Sequence, residues 1–271
     1  MTKEAQSLVL LMLVGLVVGG LTLWRLGLIG LPAHQELPAS AIAPAAAPPA
    51  LAEPGIRFPV QAPASGPLAA SQIAQALAEL VGRDNVASFF YLDQFPRRFV
   101  ATVDNLGRAH APPLVWPLKP APDRFLVDDA AGNSVIGADN GNRYTPFVLL
   151  AESIESRRAV DLYLRMYPLL QGAYEELGFP NRYFNDRLVA VIDLLLETPQ
   201  PEYPVPVKLM EVKGPIASLR PWVRYEFTDP ALESLSAGQK ILVRMGPVNQ
   251  RRLKAKLSEL RDELTRRSAR R

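Results

Sequence analysis

The chain has 271 residues, 48% of them hydrophobic, and a formal net charge of +3, so it is long enough for one or two domains with a real core. It contains no cysteine, which excludes disulfides, thiolate metal sites and a cysteine nucleophile. Its two histidines, His34 and His110, both lie in proline-rich surroundings. Two histidines in such surroundings are a poor basis for a histidine-rich metal site or a Ser-His-Asp triad.

The positive charge is concentrated at the C-terminus. Between Arg251 and Arg271 there are nine Lys or Arg and three Asp or Glu. Nine minus three makes this stretch about +6, which leaves about −3 for the rest of the chain. A basic tail can meet nucleic acid, anionic lipid or an acidic protein, and the charge alone does not choose among them.

An uncharged run from Leu8 to Trp24 is dominated by Leu and Val. With its neighbours it is long enough to cross a bilayer core of about 30 Å, and Trp24 stands where an interfacial aromatic belongs. We therefore predict an uncleaved transmembrane anchor over residues 1–31 that contacts the bilayer through residues 8–24. The alternatives are a cleaved signal peptide, for which the run is long, and a buried helix of a soluble domain.

The charges that flank this run bear on membrane orientation. Lys3 precedes the run and Arg25 follows it, and no further Lys or Arg appears before Arg57. The positive-inside rule then gives a weak preference for a cytoplasmic N-terminus. We expect a single-pass protein of a bacterial inner membrane with its C-terminal domain in the periplasm.

Residues 32–70 are rich in Pro and Ala. This segment lacks the apolar periodicity that could offset the entropy of ordering, and we predict a disordered linker. A spacer of functional length and a passive tether are both compatible with it. The linker is predicted to lead into one globular domain over residues 71–266, followed by a basic tail, 267–271.

The domain is predicted to be mainly α, with one or two small β-hairpins. Apolar residues at helical spacing, with caps and breakers between them, predict six or seven helices. Eight segments are the candidates for them: 71–82 with Ser71 as N-cap, 86–92, 95–106, 146–154, 157–177, 186–198, 236–245 and 247–265. Alternation predicts hairpin strands near 124–127 and 134–136, with an acidic turn between. Residues 205–212 and 222–227 also alternate and could pair as a second hairpin, and the alternative is that 222–227 is extended chain packed on the helices.

The stretch from Tyr163 to Thr198 organises this prediction. It is expected to contain two apolar helices joined by the aromatic turn YFNDR, with Asn185 capping the second helix. Asp186, Ala190, Asp193 and Glu197 fall on one narrow stripe of that helix, and almost every other position is apolar. A helix that is polar on so thin a strip is expected to lie at the centre of the core.

This stripe carries carboxylates, which could act in general acid/base catalysis. Asp186 and Asp193 are about 10 Å apart along a helix axis at 1.5 Å per residue, which is wide even for an inverting glycosidase pair. We prefer a solvated or Arg-paired stripe, with a partner-binding strip and catalysis as alternatives. The spacing of Asp128, Asp129, Asn133 and Asp139 does not match a calcium-binding loop.

Four segments together carry a family resemblance. They are FPRRFVATVDNL, YPLLQGAYEELGFPNRYFNDRLVAVIDLLL, VRYEFTDPALESLSAGQKILVRMGP and RRLKAKLSELR. They resemble a proteobacterial family of single-pass membrane proteins catalogued as a domain of unknown function, over about Ser71 to Arg266. The resemblance implies an envelope location and a single domain, and it brings no activity, ligand or catalytic residue.

We therefore expect a non-catalytic, membrane-anchored envelope protein that serves as a periplasmic scaffold or protein-interaction module with an envelope protein as partner. No catalytic, cofactor-binding or metal-binding residue, no cofactor and no nucleic-acid partner is predicted. The candidate interaction or structural residues are Tyr183, Phe184, Asn185, Asp186, Arg187 and Asp193. One alternative is a cell-wall (peptidoglycan) enzyme that uses carboxylates such as Glu175, Glu176, Asp186 and Asp193. The other is a cytoplasm-facing protein whose basic tail binds anionic lipid or nucleic acid.

Overall fold

The computed structural model describes residues 55–61, 65–130, 132–210 and 221–269. The predicted membrane anchor and most of the predicted linker lie outside these residues. Within the described ranges, none of the helices combines the length and the hydropathy that a bilayer crossing requires.

The described part of the chain is mainly helical, as predicted. Its α-helices are α1 Ile73–Val81, α2 Arg83–Phe89, α3 Phe95–Leu106, α4 Thr145–Ser153, α5 Ser156–Glu176, α6 Phe184–Leu196, α7 Pro230–Glu233, α8 Ala237–Arg244 and α9 Pro247–Ala269. Short 3-10 turns occupy Ala70–Gln72, Pro113–Val115, Ala138–Arg143 and Pro221–Val223. The one-turn helix α7 was not predicted.

Two antiparallel hairpins confirm the predicted pairings. Their strands are β1 Val127–Ala130, β2 Asn133–Ile136, β3 Val207–Leu209 and β4 Tyr225–Phe227. An isolated bridge between Val135 and Pro206 and a hydrogen bond from the Ile136 N–H to the Val205 carbonyl (2.9 Å) connect the two hairpins. The four strands therefore lie side by side on the helical body.

The turn of the first hairpin is shorter than predicted. Asp128 and Asp129 were assigned to the turn, but both lie in β1, where Asp128 pairs with Val135. Ala130 pairs with Asn133, so only two residues join the strands, and Gly132 supplies a positive φ of 82°. A two-residue loop of this kind requires left-handed backbone conformations, which glycine adopts at little cost.

Helix starts were predicted with mixed success. Helix α3 begins at Phe95 with Pro96 in its first turn, as predicted. Ser236 caps α8, and Gln239 completes a capping box with it. Ser71 is not the N-cap of the first helix, because a 3-10 turn precedes α1 and Gln72 accepts the Ala69 N–H (2.9 Å).

Helix α6 lies at the centre of the main hydrophobic core, between α3, α5, α8 and α9. Among its residues only Ala190 is exposed, which confirms the narrow polar strip. The leucine seam of α9 packs against the same core, so this helix is docked on the domain. The seam residues are Leu253, Leu257, Leu260 and Leu264.

A second, smaller core lies beneath the hairpins. It is formed by Ile136, Val205, Val207, Phe227, Leu232 and Val243. Two buried asparagines join this region to the junction of α8 and α9. The Asn140 Nδ2 donates to the Arg244 carbonyl (2.9 Å), and the Asn249 Nδ2 donates to the Gly141 carbonyl (2.8 Å).

Part of the sequence assigned to the linker contacts the helical body. Leu68 is buried, and its N–H donates to the Arg165 carbonyl on α5 (2.8 Å). Residues 55–61, called the N-terminal segment below, lie against the start of α6. The ordered contacts of the domain therefore begin before residue 71.

Candidate functional site

The six candidate residues surround the start of α6, and the structure divides them into three groups. Phe184 is fully buried in the core. Arg187 and Asp193 form ion pairs with other helices. Tyr183, Asn185 and Asp186 contact the N-terminal segment.

Asp186 binds two consecutive backbone amides of the N-terminal segment. Its Oδ2 accepts from the Arg57 N–H at 2.9 Å, and its Oδ1 accepts from the Phe58 N–H at 2.8 Å. A carboxylate that accepts two amides forms charge-assisted hydrogen bonds, which are stronger than neutral ones. The carboxylate therefore fixes the backbone of the segment and does not depend on the identity of its side chains.

Two further side chains complete the contact. The Tyr183 hydroxyl accepts from the Val60 N–H at 2.6 Å. The Asn185 Nδ2 donates to the Phe58 carbonyl at 2.9 Å. We call Tyr183, Asn185 and Asp186 the segment clamp.

This contact corrects the predicted role of Asn185. The N-cap position of α6 is Tyr183, and Asn185 lies inside the first turn, fully buried. Its Oδ1 accepts from the Tyr163 hydroxyl at 2.9 Å while its Nδ2 holds the Phe58 carbonyl. A buried amide needs partners for both its donor and its acceptor, and both are provided from distant parts of the chain.

Helix α5 supports the clamp through side chains spaced four residues apart. The Tyr167 hydroxyl donates to the Gln171 Oε1, which also accepts the Phe184 N–H, both at 2.9 Å. The Gln171 Nε2 donates to the Arg182 carbonyl at 2.8 Å. Because residues four apart lie on one helix face, one face of α5 positions the whole turn before α6.

The tyrosines of this face remain hydroxyl donors at physiological pH. Burial raises the pKa of Tyr163 well above its ordinary value of 10.0, and the neighbouring Tyr183 and Asp186 act in the same direction. Burial likewise raises the pKa of Tyr167. The helical spacing of Tyr163 and Tyr167 predicts that both residues face the core, but it does not reveal their hydrogen bonds.

Arg187 forms a partly buried ion-pair network with α3. Its Nε donates to the Asp104 Oδ1 at 3.0 Å, and its Nη2 donates to the Asp104 carbonyl at 2.8 Å. The Arg108 Nε donates to the other carboxylate oxygen at 2.7 Å. Asp104 is buried, so the network joins α3 to α6 inside the fold.

The four carboxylates of the enzyme alternative have separate partners or face solvent. Glu175 accepts from the Gln171 Nε2 at 2.8 Å, and Asp193 is ion-paired with Arg261. Asp186 holds the N-terminal segment, and Glu176 is exposed. None of the four lines either of the two cavities described below.

One of these cavities, of about 620 Å³, lies beside the clamp. Its lining is Arg57, Phe58, Asp262, Thr265, Arg266 and Ser268. The other, of about 290 Å³, lies between the 3-10 turn Ala138–Arg143 and the start of α9. In the described ranges no three His, Asp or Glu side chains come together as metal ligands would. Asp128, from the acidic hairpin, accepts the Ala138 N–H at 3.0 Å.

Comparison with models of known protein families identifies the family of this chain. A family model described as "Protein of unknown function (DUF3014)" matches residues 95–261, more than half of the chain. The chain belongs to the DUF3014 family. The match spans the clamp residues on α6 and ends before the last turns of α9, while the N-terminal segment lies outside it. No curated protein and no solved structure gives a significant match to the chain.

Proposed function

We propose that this DUF3014 member is a non-catalytic scaffold or protein-interaction module, anchored in the inner membrane by residues 1–31, with its domain in the periplasm. The segment clamp is the observation that supports the proposal most. The clamp makes four hydrogen bonds to backbone groups of the N-terminal segment, at the point where the N-terminal sequence enters the domain. Such a contact gives a tether a fixed point of attachment on the domain.

The basic residues of α9 favour this proposal over a nucleic-acid or lipid-binding tail. Most of those in the described range have carboxylate partners. The pairs are Arg252 with Glu152, Lys256 with Glu259, Arg261 with Asp193, Arg266 with Glu263, and Arg267 with Asp161 and Glu263. A cation that stays paired with a carboxylate neutralises less of a polyanion's charge and displaces fewer of its counterions, so it adds less affinity than a free cation.

Topology is the first test. A reporter fused after Arg271 that is active only in the periplasm should give signal in the full chain, and a reporter that is active only in the cytosol should give none. Deletion of residues 1–31 should release the protein from the membrane fraction. Cytosolic reporter activity would overturn the periplasmic placement and favour the cytoplasm-facing alternative.

Catalysis is the second test. The full chain, purified in detergent, should leave isolated cell wall unchanged. Turnover that is lost on Asp193→Asn or Glu175→Gln substitution, but kept on Glu202→Gln substitution at an exposed site, would support the enzyme alternative.

A further inference from the structure

The cavity beside the clamp is built from two distant parts of the chain. Arg57 and Phe58 of the N-terminal segment form one side of it. The last turns of α9 form the other side, through Asp262, Thr265, Arg266 and Ser268. Its volume of about 620 Å³ is within the range of small-molecule sites, roughly 300–1,000 Å³.

The cavity depends on the clamp. The amides of Arg57 and Phe58 are the two that Asp186 accepts, so release of the segment would remove one wall. A ligand that contacts both walls binds only the clamped state. It must therefore stabilise that state by thermodynamic linkage.

Two opposite charges line this cavity, and neither forms an ion pair with another described residue. Arg57 lies over the Phe58 ring at 5.5 Å and forms no ion pair with any described carboxylate. The Asp262 carboxylate, also exposed, has no ion-pair partner in the described ranges either, Arg57 included. Arg266 is already paired with Glu263. Among the described residues, the cavity therefore offers one cation and one anion that form no ion pair, the cation on the N-terminal segment and the anion on α9.

These charges define the ligand by its chemistry. A guanidinium forms paired hydrogen bonds with a carboxylate. On the other wall, the Asp262 carboxylate can accept charge-assisted hydrogen bonds from an ammonium group. We propose that this cavity binds a short peptide that carries both a free carboxylate and a free ammonium group, and that its binding holds the N-terminal segment in the clamp. The proposal goes beyond the scaffold function and does not require the membrane anchor.

The test is equilibrium dialysis of radiolabelled tri-alanine against the full chain in detergent. Tri-alanine should bind at one site, whereas N-acetyl-tri-alanine and tri-alanine amide should each bind about tenfold more weakly, because each loses one charge-assisted interaction. Equal binding of the three peptides, or no saturable binding of tri-alanine, would overturn the proposal.

Variants separate the cavity from the clamp. Arg57→Gln and Asp262→Asn should each weaken tri-alanine binding about tenfold, while Arg251→Gln, at an exposed site near the start of α9, should not change it. Asp186→Asn, outside the cavity, should also weaken binding because it releases the Arg57 wall. Unchanged binding in Arg57→Gln or Asp262→Asn with intact circular dichroism would contradict the proposal. A periplasmic reporter signal without peptide binding would overturn this inference alone and leave the scaffold proposal standing.

Discussion

The Tyr163 hydroxyl donates a hydrogen bond to the Asn185 Oδ1 at 2.9 Å, in the buried contact between α5 and the start of α6. Through its Nδ2, the same asparagine reaches the Phe58 carbonyl. One side chain thus connects the core helix α5 to the N-terminal segment. Loss of this connection should affect both the stability of the core and the attachment of the segment.

Asn185→Ala should destabilise the domain by about 2–3 kcal/mol, because it leaves the Tyr163 hydroxyl and the Phe58 carbonyl without their partner. This is more than the roughly 1 kcal/mol expected for a lost helix cap. Chemical denaturation of the variant and the parent measures the difference. Asn133→Ala, at an exposed strand position, is the matched control and should change stability by less than about 0.5 kcal/mol.

Asp186→Asn should release the N-terminal segment while the helical core stays folded. An asparagine can accept only one of the two amides, and its own amide group then faces the other donor. Hydrogen exchange at the Arg57 and Phe58 amides should accelerate about tenfold or more. Asp193→Asn, on the same helix, removes an ion pair with Arg261 but does not touch the segment. If both variants accelerated exchange equally, the clamp would not be the cause.

Asp104→Ala should cost about 2 kcal/mol of unfolding free energy, because the Arg187 side chain, only 29% exposed, loses its charge-assisted hydrogen bond to the carboxylate. Arg108→Ala removes a partner whose side chain is 51% exposed, and its cost should stay below about 1 kcal/mol. Denaturation midpoints at constant m-value measure both. Equal losses in the two variants would show that burial does not set the strength of this network.

Glu233 should make stability depend on pH in the acid range. Burial opposes its ionisation, but hydrogen bonds from Lys240 and from the Phe227 N–H outweigh burial and lower its pKa below the ordinary value of 4.5. The folded state therefore binds its proton less readily than the unfolded state. The stability that the ionised Glu233 contributes is fully present above pH 4.5. It is lost as the pH falls through the lower pKa that this carboxyl has in the folded state.

Glu233→Gln should therefore be less stable than the parent near neutral pH. Its stability should also change less between about pH 5 and pH 3. Thermal midpoints measured across this range test the prediction. Glu202→Gln, at an exposed site, should keep the slope of the parent. If Glu233→Gln kept the parent's slope of stability against pH, the acid sensitivity would arise from another group.

The sequence predicted the elements whose signals are local. Helix α3 follows from an apolar stripe that begins next to Pro96, and α8 follows from a serine cap, Ser234 or Ser236, before a short helical run. The central position of α6 follows from its composition, because a helix that is apolar on nearly every side must be surrounded by protein. These inferences need no knowledge of distant residues.

The candidate site was located by sequence, but its roles were not. YFNDR was recognised as a junction, yet Asn185 was read as a helix cap because polar residues before apolar runs usually are. Its actual partners, Tyr163 and Phe58, are 22 and 127 residues away. The spacing of Tyr163, Tyr167 and Gln171 by four residues was the available signal for a polar face on α5.

The sequence by itself determined the helical class, the two hairpins and the central position of α6, because periodicity, caps and turn residues act within a few positions of each other. Only the tertiary structure decided that Asp186 holds the backbone of residues 57 and 58, and that Arg57 and Asp262 face one cavity. Those contacts join residues far apart in the chain. Hydrogen bonds to backbone groups also leave no pattern in the side chains of the segment that is bound.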